Sequence, residues 1–290
     1  MYLTTKILAA IAALFFTINI VAAANNHPVT SIQLSTEQVS AADLKNTDTS
    51  YSYDELSIRW EWQVLLFNIK QQQYQWRDTT AFDGGAGNAP WQSLTQIAPG
   101  FQYYSKIGEQ WGVWGKVMAI AGFEGNISSQ AWSYNPQLIS FFKASPQKIY
   151  YGGAGLLYHP IESLYYPILG VAWNLESRKG LSFALGFPET MLRYGFSKQL
   201  AVKIDFAIDV RIYNLASDSS VAPDGFLRIA EMIPGIRLEY KLTKKTLLLH
   251  AGMRGHAGRL LTLYNKKENQ QAIYNVDLSW AMHMGLEYRF

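Results

Sequence analysis

The chain has 290 residues, a formal net charge of +3 and no cysteine, which excludes disulfide bonds and a lipid-modified cysteine anchor. Charged residues make up 16% of the chain, against about a quarter in soluble domains, while aromatic residues reach 14%. The nearly balanced charge and the lack of a basic stripe argue against a nucleic-acid partner. No histidine or acidic cluster has the spacing of metal ligands, so the sequence predicts no cofactor.

Residues 1–24 have the pattern of a secretory signal peptide. Lys6 precedes a short apolar run that ends in Val21-Ala22-Ala23-Ala24, where small residues mark a cleavage site. The run is too short to be a good membrane-spanning helix. We predict export with cleavage after Ala23 or Ala24, followed by a mobile polar periplasmic leader at 25–50.

Ten segments with alternating apolar and polar residues are predicted as β-strands. They cover residues 56–69, 95–107, 111–123, 148–158, 164–175, 181–196, 200–213, 228–240, 246–264 and 272–290. Most of the links between them alternate between short and long, as in strands that shuttle between a periplasmic rim and an external rim. The long links include 71–90 and 126–145, which are predicted to lie outside the cell.

One predicted strand contains a break. In residues 181–196 the apolar positions change phase at Pro188, which cannot donate to a strand ladder, so the pattern predicts a bulge there. If Pro188 instead marks a turn, the count rises to twelve strands with a further hairpin near Gly252 to Gly258. Both ten and twelve are even numbers, which place the two termini at the periplasmic rim.

Two strands have long apolar faces. Every second residue from Leu200 to Ile212 is apolar, and so is every even position from Ala272 to Phe290. Successive strand side chains point to opposite faces, so each strand has one apolar face. Such strands favour a transmembrane β-barrel, in which the apolar face meets lipid. The predicted fold class is all-β: one antiparallel barrel of ten strands, or twelve, at 51–290 in the bacterial outer membrane.

Two segments of the chain resemble known barrel sequences. The residues His283, Gly285, Tyr288 and Phe290 resemble the C-terminal assembly signal of outer-membrane barrels. That resemblance implies the barrel-assembly machinery as a partner, beside outer-membrane lipid. Residues 170–174 (GVAWN) and 180–196 (GLSFALGFPETMLRYGF) resemble an uncharacterised Gram-negative family with an outer-membrane barrel fold. The second resemblance implies the barrel and no activity.

The polar residues opposite these apolar faces are predicted to line the lumen. They are Lys203, Asp205, Asp209, Arg211, Arg237, Glu239, Asp277, Ser279, His283 and Glu287. In one interpretation these side chains form a network that fills a narrow barrel. In the other they line a constricted channel and select small polar or charged solutes.

Three functions therefore remain open from the sequence. The first is a small pore or transport protein, and the second is a structural or surface-interaction barrel whose external loops bind a partner. The third is a membrane-embedded hydrolase, since Ser279 and His283 share a strand face, although about 13 Å of strand separates them. No hydrolase motif accompanies them, and the oligomeric state stays open.

Overall fold

The computed structural model describes residues 30–82, 88–175, 177–242 and 247–290. These residues form a 3-10 turn at Ser129–Ala131 and fifteen strands. The strands are β1 (Thr30–Asp43), β2 (Ser50–Trp62), β3 (Leu65–Arg77), β4 (Ser93–Ile107), β5 (Trp111–Phe123), β6 (Trp132–Ser145), β7 (Lys148–His159), β8 (Glu162–Trp173), β9 (Gly180–Phe187), β10 (Glu189–Gly195), β11 (Leu200–Asn214), β12 (Phe226–Lys241), β13 (Leu247–Tyr264), β14 (Gln270–Asn275) and β15 (Ser279–Arg289). In these ranges no helix is long and apolar enough to cross a membrane.

The strands form one closed antiparallel barrel. Strands β1 to β13 each pair with their neighbours along the chain, and β15 pairs with β13. The ring closes where β1 pairs with β15, from Ser31 opposite Arg289 to Val39 opposite Ala281. β14 and β15 are two parts of one interrupted strand, so the described residues make a wall of fourteen strands. Closure pairs backbone N–H and C=O groups that lipid cannot satisfy.

The prediction of ten or twelve strands is therefore wrong. β1 lies in the predicted polar leader and β6 lies in a predicted external loop. Tight turns at 63–64 and at Pro188 each divide a predicted strand in two, whereas 252–258 is a continuous part of β13. The barrel thus includes residues from Thr30 onward rather than from 51, and the predicted signal peptide lies outside the described residues.

The two missed strands were hidden by different features of their sequences. In β1 only Ile32 and Leu34 are large apolar residues on the outer face, and threonine and glutamine continue that face towards the external rim. In β6 an Asn135-Pro136 pair has the chemistry of a turn, yet Asn135 points inward and its amide donates to the Leu156 carbonyl at 2.7 Å. These segments are strands because they pair with the adjacent strands. Their own residues do not reveal that pairing.

The outer face of the barrel is apolar. On β15 the side chains of Trp280, Met282, Met284 and Leu286 point outward, and those of Ser279, Ala281 and His283 are buried on the inner face. A girdle of exposed aromatic side chains surrounds the rim at which β2 joins β3, β4 joins β5 and β10 joins β11: Trp62, Tyr103, Trp111, Tyr150, Tyr194, Phe196, Tyr240, Tyr288 and Phe290. Aromatic girdles of this kind lie at the membrane–water interface. This rim, which also holds the N-terminal end of β1 and the C-terminal end of β15, is the periplasmic rim in the predicted orientation.

The external half of the barrel has two layers because the hairpin β9–β10 is short. β9 pairs with β8 only along Leu169–Trp173, and β10 pairs with β11 only along Ala201–Ala207. Beyond the hairpin, β8 and β11 do not pair with each other in the described chain. β11 instead leans into the barrel, where Asn214 pairs with Phe123 at the end of β5.

The apolar face of the external part of β11 is covered by β6 and β8. On β11 Ile208, Val210 and Ile212 are only 5%, 5% and 3% exposed and pack in one cluster with Ile139 and Ile168 from the inner faces of β6 and β8. The expectation that this whole face meets lipid is therefore wrong for these three residues, whereas Ile204 and Phe206 on the same face are exposed.

Contacts between β12 and the tip of the β7–β8 hairpin tie the two layers together. Arg228, on the outer face of β12, forms an ion pair with Glu162 at the start of β8. The ring centroids of His159 and Phe226 lie 5.2 Å apart in an edge-to-face contact. β6 to β8 thus form an outer layer over the external parts of β11 and β12.

We expect Phe206→Arg to destabilise the folded barrel by about 2–4 kcal/mol, because a charged side chain in the middle of the lipid-facing wall loses its hydration. Phe206→Leu, which keeps an apolar side chain, is the matched control. Urea unfolding in lipid vesicles measures both free energies. Equal and small effects would mean that this face of β11 does not meet lipid.

The two-layer arrangement predicts opposite outcomes for adjacent residues of β6. Ile139 is fully buried between the layers, whereas Leu138 is 62% exposed on the outer face. Ile139→Ala should cost about 2–5 kcal/mol of folding free energy through a cavity, and Leu138→Ala less than about 1 kcal/mol because lipid replaces the lost contacts. A larger loss for Leu138→Ala in the same unfolding measurement would contradict the layering.

Candidate functional site

Most of the predicted lumen residues lie inside the barrel. Those with inward side chains are Lys203, Asp205, Asp209 and Arg211 on β11, Arg237 and Glu239 on β12, and Ser279, His283 and Glu287 on β15. Asp277 does not line the lumen: its side chain is 55% exposed, and it pairs with Lys45 at the external rim at 3.7 Å. The reason is the interruption at 276–278, which reverses the alternation so that Val276 points inward.

The periplasmic half of the lumen contains a chain of ion pairs. Lys203 Nζ lies 3.6 Å from an oxygen of Asp205, and the same oxygen lies 3.5 Å from Arg237. Arg237 also pairs with Glu239 at 3.3 Å, and Glu239 pairs with Arg193 on β10 at 2.9 Å. Several of these side chains are partly exposed although they point inward. This half of the barrel is therefore a polar vestibule that admits solvent.

A buried network crosses the middle of the barrel around Glu231 of β12. Its carboxylate accepts a hydrogen bond from Arg259 Nε at 2.6 Å, lies 3.0 Å from His256 Nδ1 and forms an ion pair with Arg211. His256 Nε2 lies 2.8 Å from Glu37 Oε1. Both ring nitrogens thus face carboxylates, and the imidazolium, which has two N–H donors, satisfies both.

The network extends to β1, β2 and β11. Glu37 on β1 accepts a hydrogen bond from Arg254 Nη1 at 2.8 Å. Arg211 lies 2.7 Å from an oxygen of Asp209 and 3.6 Å from an oxygen of Glu55 on β2. Buried charges are stable only when they are paired. The network therefore joins β11, β12 and β13 to β1 and β2 across the interior of the barrel.

An aromatic layer covers the network on the external side. The hydroxyls of Tyr51 and Tyr53 accept hydrogen bonds from Arg259 at 3.0 and 3.3 Å. Above them Trp91, from the link between β3 and β4, is 1% exposed, and its carbonyl accepts a hydrogen bond from Trp76 Nε1 at 2.7 Å. Phe82 packs edge-on against Trp91. The external mouth of the lumen is closed by these packed rings.

Loops at the external rim hold the end of β11 in its inward position. Ser128 Oγ lies 2.6 Å from Asn214 Oδ1, and Asn214 Nδ2 donates to the Gly225 carbonyl at 3.0 Å. The Glu124 carboxylate accepts a hydrogen bond from the Ala216 backbone N–H at 3.1 Å. Burial raises the pKa of the Glu124 carboxyl above its ordinary value. These contacts join the loop after β5 to the loop after β11.

The residues at the centre of this network carry no clear signal in the sequence. Glu37 lay in the predicted leader, and Glu231 and Arg259 lay in segments where neither face is simply polar. Gly258, at a positive φ of 57°, adjoins a register shift between β12 and β13, so the face of His256 cannot be read by alternation alone. A glycine within a strand pattern is the one signal of such a bulge.

The hydrolase hypothesis receives no support from the geometry. His256 is opposite Ser279 in the strand register, but both of its ring nitrogens are occupied by carboxylates. The Ser279 hydroxyl has no hydrogen-bond partner in the described ranges. Within those same ranges no group of three or more histidine, cysteine or acidic residues could hold a metal ion.

Comparisons with known proteins show likeness to barrels only. No protein-family model and no curated protein matches the chain. Among solved structures, a KdgM porin in complex with disordered oligogalacturonate is 11% identical over 90% of this chain and 99% of its own, with a TM-score of 0.37. An outer-membrane channel from Pseudomonas putida F1 is 10% identical over 97% and 98%, with a TM-score of 0.40. The P. putida toluene transporter TodX is 9% identical over 90% and 89%, with a TM-score of 0.32. At these TM-scores the likenesses carry no functional argument.

We expect Glu231→Gln to cost about 3–5 kcal/mol of folding free energy, because it leaves buried cations without their shared carboxylate. Glu268→Gln, in the exposed loop between β13 and β14, is the matched control and should have no measurable effect. Urea unfolding of the refolded protein in detergent measures both. A neutral effect at Glu231 would mean that the network does not join the strands energetically.

Proposed function

We propose that the protein is a gated pore for small polar or charged solutes. The observation that carries the proposal is the row of ionisable side chains that runs from the periplasmic vestibule into the centre of the barrel. If these side chains only filled the lumen, their charges would add no stability to the barrel, because a protein with well-packed apolar residues in place of a buried ion pair is often as stable or more stable. Ionisable residues at membrane depth mark solute or ion pathways.

The gate is the aromatic layer together with the network beneath it. Trp91 and Phe82 belong to a link between strands rather than to the wall, so they can move without breaking the backbone hydrogen bonds that pair the wall strands. Once they leave, a solute that enters from outside first meets Tyr51, Tyr53 and Arg259. Passage to the vestibule then requires the central ion pairs to exchange partners.

The bacterial outer membrane is the location that we propose. The apolar outer face and the aromatic girdle suit a membrane-spanning barrel, and the signal-peptide pattern supports export. The resemblance of His283, Gly285, Tyr288 and Phe290 to an assembly signal supports the barrel-assembly machinery as a partner. Of these residues, Tyr288 and Phe290 are exposed at the periplasmic rim, where a receptor can reach them.

A structural or surface-interaction barrel is the second candidate. The observation that favours it is the closed external half, in which Tyr51, Trp91, Arg259 and Glu231 are all nearly fully buried. A barrel that never opens has this appearance too. The two candidates differ in conductance: a gated pore conducts at least intermittently, and a permanently filled barrel does not.

Single-channel recording of the refolded protein in a planar bilayer tests the proposal. We expect brief openings of the unaltered protein and a higher open probability for Trp91→Ala, which removes the ring that closes the mouth. Trp111→Ala, which removes an exposed tryptophan from the periplasmic girdle, should leave gating unchanged. Silence of both the unaltered protein and Trp91→Ala, with folding verified by heat-modifiable gel mobility, would favour the second candidate.

A further inference from the structure

Four basic or imidazole side chains surround Gly252 on the inner wall of the vestibule. Gly252 of β13 is opposite Arg237 of β12 and opposite His283 of β15 in the strand register. His250 and Arg254 lie two residues before and after it on the same face of β13. Because Gly252 has no side chain, the backbone and Cβ of Arg237 pack directly against it, and a Cβ atom at position 252 would lie 2.6 Å from both Cα and Cβ of Arg237. The glycine thus allows the four side chains to come together at one place on the wall.

The two histidines of this group have no hydrogen-bond partners. His250 and His283 are only 7% and 5% exposed, and their ring centroids lie 5.0 Å apart. In the described parts of the chain none of their four ring nitrogens has a hydrogen-bond partner. Buried polar atoms are almost always satisfied, so each exception requires an explanation such as a bound ion or solute.

Gly285 makes room for this arrangement. A Cβ atom at position 285 would lie 2.7 Å from Cε1 and Nε2 of His250, closer than real contacts allow. The resemblance to an assembly signal explains Gly285 through recognition by the barrel-assembly machinery. The structure adds a second reason, which is the close packing of His250 against the backbone at this position. The imidazole of His250 is thus held over the backbone of β15, beside His283.

The cations of the group are more accessible than most of the carboxylates that they pair with. Arg254 is 24% exposed and its partner Glu37 is 7% exposed. Arg237 is 18% exposed and its partner Glu239 is 8% exposed, while its second partner, Asp205, is 22% exposed. A solute in the vestibule therefore meets guanidinium groups at this wall, with two of the three carboxylates behind them.

We propose that this cluster is an anion-binding site, which takes a carboxylate or phosphate group of a solute. The inference rests on the proposed pore and names the class of solute that it favours. Guanidinium and imidazole N–H groups are donors that bind oxyanions through charge-assisted hydrogen bonds. A divalent cation is disfavoured because Arg237 and Arg254 belong to the same cluster and repel it.

Titration calorimetry with the refolded full chain in detergent tests binding, with inorganic phosphate and succinate as the probes. Saturable binding of either is expected, and the two arms distinguish a phosphate from a carboxylate ligand. His283→Phe, which keeps a ring but removes both nitrogens, should weaken binding about tenfold, the loss expected for one hydrogen bond to a charged group. His283→Gln, which keeps an N–H donor, should lose less.

Arg59→Gln is the matched control, because it removes a vestibule cation from β2, outside the four-residue cluster. It should bind phosphate and succinate within about twofold of the unaltered protein, a change too small for a lost charged hydrogen bond. Gel mobility verifies that each variant is folded. An equal loss in Arg59→Gln and His283→Phe would overturn the site in favour of a general effect of charge.

Reversal potentials in a planar bilayer separate the failure of this inference from the failure of the pore. Under a potassium chloride gradient we expect anion preference in the unaltered protein and a reduced preference in His283→Phe. Conductance without anion preference and without anion binding would overturn the site and leave the pore intact. Binding of zinc or copper ions that requires His250 and His283, with no binding of phosphate or succinate, would also overturn it.

Discussion

The short hairpin β9–β10 sets the arrangement of the external half of the barrel. A strand in a membrane needs hydrogen-bonding partners along its length, and this hairpin supplies β8 and β11 with partners only on the periplasmic side. Beyond it, β11 turns inward and ends beside Phe123 of β5. β6 and β8 then cover the apolar face of β11. The space between these strands is therefore a packed apolar layer and not open lumen.

The inward position of β11 explains where the buried charges lie. Because Ile208 and Ile212 face the outer layer, Asp209 and Arg211 face the narrowed lumen. There they meet Glu231, which also holds Arg259 and His256. In a space this narrow, opposite charges from facing strands come within hydrogen-bond distance and satisfy one another. The periplasmic half lacks this second layer, so its charged side chains remain partly exposed.

Alternation along single strands was enough to predict the barrel, the outward face of β15 and the inward direction of nine of the ten lumen candidates. It was not enough at interruptions. Asp277 follows a break that reverses the alternation, and His256 precedes a bulge at Gly258. β1 was missed because polar residues on both of its faces hide the two-residue period, and β6 was missed because its Asn135-Pro136 pair has the chemistry of a turn. In each case the deciding information is the neighbouring strand, which can be far away in sequence.

Residue alternation specifies the fold class and the side of the wall on which most residues lie, because both follow from a repeat of two residues along a strand. The number of strands, the closed external mouth and the pairs within the lumen depend instead on contacts between distant parts of the chain. Glu37 and His256 are separated by 219 positions in the chain and meet at 2.8 Å. Such a contact depends on how the ring of strands closes and where β11 leaves the wall, and local alternation contains neither.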